Sequence, residues 1–492
     1  MPQSDNPSHI PETPAPARRD FLKRAGLGAS AVAVGGMAAP AMAGAAVSSR
    51  RVAKMPGVDY DVIVLGGGFA GVTAARDSMK NGYRTLLLEA RDRLGGRTFT
   101  SQFAGHQVEM GGTWVHWSQP FVWSEIQRYK LDVIETPESN VDGASEAVVF
   151  ADGRAQHLDG EQALAVFGAI TKYFANAGQM WERPYDASHG WKAIAEADRR
   201  SAAAMIDGMQ LTPLQRTAVE GYISALGHCK PEVASHVDLN RWWSLAGGSM
   251  QALHDAGGRY RFRDGTVSLI NKIVADGQPE IRLSTPVRAV EDEARRVVVT
   301  TKDGQRITAG AVIVALPMNV LPGVQFHPPL PNGVIEAGRE KHVGHGIKLL
   351  IKVKGRMSKS RVLALASPNH PLPISFTYAA ADDHTVLVMF GPDPKRIDYA
   401  DKTAVQTALH DFFPEAVVEE VHHQPWTEDP YSQGTWCGYR PGWFGKYYSQ
   451  FQKDQGRVFF GQGDHGEGWR GFIDGAIGAG SRAAERVKAR FG

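Results

Sequence analysis

Three glycines mark the first place where this chain can do chemistry. Gly66, Gly68 and Gly71 form G-x-G-x-x-G. The run before them, Tyr60 to Leu65, is apolar and rich in β-branched residues, which predicts a strand buried on both faces. The run after them predicts a helix from Phe69 to about Asn81, with Phe69 and Ala70 in its first turn. In such a turn the first glycine permits the tight bend, the second lets backbone approach a pyrophosphate, and the third lets helix pack on strand. The unpaired amides and positive dipole end of the helix then favour a diphosphate. A second strand, Tyr83 to Leu88, ends at Glu89, where an acid accepts hydrogen bonds from ribose hydroxyls. Strand, turn, helix, strand and acid in this order predict a dinucleotide site.

The next residues favour FAD over NAD. Ala90 to Thr98 supplies a second glycine-rich turn and the arginines Arg91, Arg93 and Arg97. A longer dinucleotide needs further backbone donors and a cation, and Arg97, beside Gly95-Gly96, suits a phosphate through its forked donors. Glu89 to Thr98 (EARDRLGGRT) resembles the E-A-R-x-R-x-G-G-R-x signature of the flavin-containing amine oxidase family, also called the monoamine oxidase family.

That resemblance implies an α/β fold: a Rossmann-like FAD-binding domain with an interleaved α+β substrate-binding domain. It implies a cofactor site built from Gly66, Gly68, Phe69, Ala70, Gly71, Glu89, Ala90, Arg91, Gly96 and Arg97. It adds the turn Gly112-Thr113-Trp114 beneath the flavin ring, Val287 holding adenine through its backbone, and Trp426 in the W-x-x-[DE]-P-[FY]-S-x-G segment. Asp464 is the counterpart of an acid that reaches the ribityl chain, although Gln462 stands where the family has alanine. A last helix starting near Ile473 places its N-terminus at the flavin edge. Lys348, Trp436 and Phe472 are the implied catalytic residues: a lysine water-bridged to flavin N5, and two side chains that cage the amine. Members with covalent flavin carry cysteine where this chain has Thr435, so FAD held non-covalently is expected.

The implied reaction oxidises a C–N bond. A hydride or its equivalent leaves the α-carbon for flavin N5, and the imine hydrolyses to a carbonyl and an amine. The segments GGTWVHW, YSQGTWCGYRP and GWRGFIDGA resemble exported bacterial family members of nicotine breakdown, which implies a pseudooxynicotine- or nicotine-like aryl-alkyl amine. The electron acceptor is then O2 or a c-type cytochrome. Three rivals stand beside this reading. An L-amino-acid oxidase would need a cation such as Arg470 or Arg241; a polyamine oxidase would need acids in its pocket; an exported flavin-binding protein would have no turnover.

The elements that must position these residues fall in blocks. Arg18-Arg19-Asp20-Phe21-Leu22-Lys23, the mild apolar run Ala25 to Ala43 and Ala41-Met42-Ala43 read as a twin-arginine signal peptide over 1–43. A linker over 44–58 precedes FAD-binding segment 59–122, a mainly helical substrate domain 123–256, FAD-binding segment 257–318, a substrate-domain sheet 319–425 and FAD-binding segment 426–492. Helices are expected over Gln162 to Trp181 and Thr212 to Leu226. Strands are expected at His106 to Met110, Ala289 to Thr301, Arg306 to Leu316 and Val343 to Val353.

Bulk properties narrow the classes. The 492 residues exceed one ordinary core. A formal net charge of +2 carries no nucleic-acid footprint. Cleavage after Ala43 removes four basic and three acidic residues and leaves about +1. No later apolar run reaches the roughly 18 residues a span requires, so a periplasmic mature form free of the membrane is expected, monomeric or as a homodimer. Cys229 and Cys437 form no C-x-x-C motif. The pairs His342/His345 and His422/His423 lack the further ligands of a metal site.

Overall fold

The computed structural model describes residues 55–136, 146–357, 362–451 and 453–492. The expected signal peptide and most of the linker lie outside the described residues.

Two sheets organise the chain. The first has eight strands, in the order Glu280–Arg282, Thr85–Leu88, Tyr60–Leu65, Arg306–Val314, Val297–Thr301, Val287–Asp292 and Gln325–His327, with Val458–Phe460 also paired to Arg306–Val314. Tyr60–Leu65 lies parallel to both neighbours, so that Ile63 faces Leu86 on one side and Val312 on the other. Both faces of this strand are covered, which is why its sequence is apolar without alternation. Val62 and Val64 pack with Val72, Ile270 and Ile477 from helices Phe69–Lys80, Gly265–Gly277 and Ile473–Phe491. Ile63 and Leu65 face the other way, into a core with Met318, Tyr439 and Phe444.

The second sheet has seven strands, in the order Val418–His423, Ile347–Lys354, His384–Gly391, Ile374–Ala380, Val362–Ala366, Glu146–Ala151 and Arg154–His157. Helices Gly160–Tyr173 and Pro213–Gly227 cover one face through Val166, Val219 and Ile223. Helix Lys402–His410 covers the other through Val405 and Leu409. A three-stranded sheet of Trp114–Val115, Tyr260–Phe262 and Val133–Glu135 and a hairpin of Thr100–Phe103 with His106–Glu109 complete the strands among the described residues.

Several boundaries differ from those read in the sequence. The division at 122 falls inside helix Pro120–Tyr129, whose Val122 and Ile126 pack in the same core as Val72 and Ile477. The expected helical block 123–256 donates the Glu146–His157 hairpin to the second sheet, because Ala147 to Val149 pairs in parallel with Leu363 to Leu365. Gln325–His327, beyond 318, pairs with Val287–Asp292 in the first sheet. The helix expected over Gln162 to Trp181 is two, Gly160–Tyr173 and Ala177–Met180, broken at the Phe174 cap. The strand expected over Ala289 to Thr301 folds back on itself at Glu293 to Arg296, with Ala294 at φ +66°. The charged run Glu291 to Arg296 between the apolar ends Ala289-Val290 and Val297-Val299 is where the strand reverses.

Candidate active site

One cavity, about 2180 Å³ including the mouth it opens on, is lined by the turns of the first sheet and the strands of the second. Its lining runs from a glycine cradle at one end to an aromatic cluster at the other.

At one end stand Gly66, Gly68, Phe69, Ala70, Glu89, Ala90, Arg91 and Gly96. Gly68 caps helix Phe69–Lys80 without a side chain, and the first turn holds no acid, so its amides are left for a ligand. Gly71 does not line the cavity; a Cβ there would lie 1.8 Å from the Gly66 carbonyl oxygen, so it serves helix–strand packing. The Glu89 carboxylate accepts from the Gly67 amide at 2.6 Å and from the Arg91 amide at 2.8 Å. Arg91 donates to Asp429 at 2.5 Å and to Ser432 at 2.8 Å, and the Trp426 indole donates to the Met110 carbonyl at 2.9 Å. The W-x-x-[DE]-P-[FY]-S segment is thus pinned to the nucleotide turn by its own side chains. A bare helix N-terminus, a glycine cradle and a buried acid fit the diphosphate and ribose of FAD.

Two residues expected at the cofactor are not part of the lining. Asp464 is fully buried and does not line the cavity. One of its oxygens accepts from Arg97 at 2.5 Å and the other from the Met318 amide at 2.8 Å. Burial pushes its pKa up, but Arg97, His342 and the Met318 amide outweigh that and hold the carboxyl below the usual range. Arg97 forms the wall, also donating to the Thr435 carbonyl at 2.7 Å, and Asp464 is the counter-charge behind it. Val287 sits in the first sheet opposite Thr301, away from the cavity lining.

Midway, Gly112, Thr113, Trp114, Lys348 and Ile473 face the cavity. Lys348 is buried, as strand Ile347–Lys354 dictates, and its ammonium donates to the carbonyls of Glu109 at 2.6 Å and Gly111 at 2.9 Å and to the Thr113 hydroxyl at 2.5 Å. Three acceptors around one nitrogen favour the charged form. Burial pulls its pKa down, and the Glu109 charge opposes that pull. Glu109 was not marked by the sequence reading. It is buried, and accepts from the Thr100 hydroxyl at 2.7 Å and from the Thr266 amide and hydroxyl at 2.7 and 2.8 Å.

The far end is aromatic. Phe472 meets Trp469 edge-on at 4.9 Å and Trp242 at 5.4 Å. Trp436 lies on His228, a lining residue that no motif announced, at 4.1 Å between centroids. Cys437 is fully buried behind the wall, with its thiol 3.8 Å from the Asp464 carbonyl oxygen, and both cysteines are free. Arg470 and Arg241 do not line the cavity: Arg470 pairs with buried Asp238, and Arg241 donates to the Pro184 carbonyl at 2.7 Å. Neither can meet a substrate carboxylate there. Among the described residues, no group of three or more His, Cys, Asp and Glu is placed to hold a metal, and no helix is long and apolar enough to cross a membrane.

Comparison with known proteins agrees with this geometry. Residues 69–488 match the family described as flavin containing amine oxidoreductase. The chain is 40% identical over 477 residues to the pseudooxynicotine dehydrogenase of a Pseudomonas species, covering 96% of this chain and 95% of that one. It is 35% identical to the nicotine dehydrogenase of Pseudomonas putida, covering 95% and 97%. Among solved structures, wild-type putrescine oxidase bound to putrescine superposes with a TM-score of 0.74 at 20% identity, over 88% of this chain and 99% of that one. The cyclohexylamine oxidase of Brevibacterium oxydans gives 0.73 at 18% identity over the same shares. The chain belongs to the flavin-containing amine oxidoreductase family, and it is an FAD-dependent enzyme of amine oxidation.

Proposed function

We propose that the substrate is an aryl-alkyl amine of the pseudooxynicotine or nicotine kind, oxidised at its C–N bond to an imine that hydrolyses to a carbonyl and an amine. The observation that carries this is the wall of the far end. Leu226, Leu253, Ile374, Phe376, Phe390 and Trp469 line it with Trp436 and Phe472, and no Asp, Glu or Arg lines that end among the described residues. Such walls suit an aromatic ring and a neutral amine. They offer no acid to the second ammonium of a polyamine and no guanidinium to an amino-acid carboxylate. The names of the two most similar relatives given above point to the same class of amine.

The roles follow from position. Trp436 and Phe472 flank the amine and exclude water, and the apolar walls lower its pKa so that the neutral form binds. Lys348 and the N-terminus of helix Ile473–Phe491 present positive charge beside the ring site. Bound FAD supplies the hydride acceptor; the protein supplies orientation and electrostatics. FAD is held non-covalently, since Thr435 has no thiol and Cys437 lies behind the wall. The word dehydrogenase in both relatives' names favours a c-type cytochrome over O2 as acceptor. The twin-arginine leader supports a periplasmic location, where such carriers reside.

The test is a steady-state comparison of pseudooxynicotine, nicotine, putrescine and L-amino acids, each with O2 and with cytochrome c. The expected kcat/KM for the aryl-alkyl amines exceeds the others by at least about 100-fold, because a buried unpaired charge is rejected strongly. A preference for putrescine or an amino acid overturns the reading.

A further inference from the structure

The aromatic wall is held from behind by His228. This residue ends helix Pro213–Gly227 in the left-handed region, φ +52°, and is fully buried. Its ring lies on Trp436 at 4.1 Å and 8°, a nearly parallel stack. Phe390 meets both rings edge-on, 5.7 Å from His228 and 5.8 Å from Trp436. Hydrogen bonds at both nitrogens fix the imidazole plane: Nε2 is 3.0 Å from the Ile347 carbonyl oxygen, and Nδ1 is 2.8 Å from the Thr435 hydroxyl. A carbonyl only accepts, so Nε2 carries the proton, and in the neutral ring Nδ1 accepts from Thr435. Burial pushes the pKa down to about 3, which keeps the ring neutral.

The backbone closes on the same ring. A Cβ at Gly346 would lie 2.3 Å from the imidazole Cδ2, so only glycine leaves room. The amides of His345 and Gly346 both donate to the His228 carbonyl, at 3.2 and 3.1 Å. The Trp436 indole donates to the Leu226 carbonyl at 3.1 Å, two residues before His228. One helix C-terminus therefore carries both the anchor and the stacking face of the indole.

We propose that His228 is the positioning residue of the amine site, setting the plane of Trp436 and, through Ile347, registering that wall against the strand that carries Lys348. This rests on Trp436 being a wall of the amine site. Stacking on the fixed imidazole and the hydrogen bond to Leu226 leave the indole one orientation. Hydride transfer needs the reacting carbon held within a near-attack geometry, so a tilted wall costs both binding and rate. A neutral imidazole also leaves the indole face electron-rich, whereas an imidazolium there would oppose an approaching amine.

The experiment is anaerobic rapid mixing of the FAD-loaded protein with pseudooxynicotine, giving the substrate dissociation constant and the limiting rate of flavin reduction separately. His228→Leu fills the space without a flat face. It is expected to weaken binding and slow reduction, together by about fivefold to tenfold, with FAD content unchanged and a melting temperature lowered to the same extent as in His228→Phe, since both lose the two hydrogen bonds. His228→Phe restores a flat face and recovers most of that loss. Thr435→Val removes one fixing hydrogen bond at constant volume and costs about threefold. Wild-type constants in His228→Leu, or equal impairment in His228→Leu and His228→Phe, overturn the proposal. If His228→Leu does not hold FAD, wild-type constants in Thr435→Val overturn it. Trp436→Leu separates the two readings. Wild-type behaviour in Trp436→Leu defeats the amine-site reading itself; loss in Trp436→Leu with none in His228→Leu defeats the positioning role alone.

Discussion

Adding one methyl at Gly68 and one at Gly71 should give opposite phenotypes. At Gly68 the backbone has φ −75°, which alanine adopts freely. A Cβ there meets its first neighbour, the Gly96 Cα, at 3.7 Å, an ordinary contact. The fold therefore tolerates Gly68→Ala, and the methyl projects into the space where a diphosphate meets the helix amides. Displacing the diphosphate from two such donors forfeits about 1.5 kcal/mol each, or about 3 kcal/mol together, which is more than 100-fold in affinity. At Gly71 a Cβ would lie 1.8 Å from the Gly66 carbonyl oxygen, and no rotamer relieves a backbone clash. Gly71→Ala must push helix Phe69–Lys80 off the first sheet. The assay pairs the melting temperature of the apoprotein with the FAD affinity from a flavin titration. Gly68→Ala is expected to melt with the wild type and bind FAD at least about 100-fold more weakly. Gly71→Ala is expected to melt several degrees lower before any flavin is added. A Gly68→Ala protein with wild-type FAD affinity would refute the assignment of the helix N-terminus to the diphosphate.

Other outcomes follow from the same geometry. Arg97→Ala strands the fully buried Asp464 charge and should cost about 3 kcal/mol, more than Asp464→Asn, whose amide oxygen still accepts from Met318. The double variant should melt above the sum of the two losses in a double-mutant cycle; simple additivity would contradict the pairing. Burial pushes the Asp474 carboxyl up to about 7 against the amide hydrogen bonds of Val122 and Phe121, while an unfolded aspartate titrates near about 3.9. Its ionised form is penalised only in the fold, so its contribution is intact below about pH 4 and is lost as pH rises through 7. Asp474→Asn should match the wild type at pH 4 and melt higher above pH 7, and a pH-independent difference would count against it. Acid precipitation should release all the yellow colour into the supernatant, from the wild type and from Cys437→Ser alike; colour retained in the pellet would point to a covalent flavin.

Local signals were legible where one short stretch of chain makes its own structure. The strand Tyr60–Leu65, the helix start at Phe69 and the Thr212 cap with Pro213 behind it all follow from residues within a few positions, whereas the helix start at Ile473 comes from the family resemblance. Thr212 forms a capping box with Gln215, a signal that spacing alone carries. Pairings over long sequence distance were not legible. The Glu146–His157 hairpin joins a sheet whose partner strand begins at Val362, and no local pattern names that partner. Asp464 and Arg97, both expected on FAD, are 367 positions apart and pair with each other. Glu109 reads as one more acid before a glycine pair until Thr266 and Lys348 are brought to it. His228 had no motif, and its one sequence trace is indirect: Gly344-His345-Gly346, whose second glycine leaves the room its ring occupies.

The most direct test of the account is to mix the FAD-loaded protein with pseudooxynicotine in the absence of oxygen, protiated or deuterated at the carbons beside the amine. The account predicts that the visible flavin band bleaches in a single turnover, that deuterium slows the bleaching several-fold, and that added cytochrome c restores the colour. A flavin that stays yellow with every aryl-alkyl amine offered would contradict it.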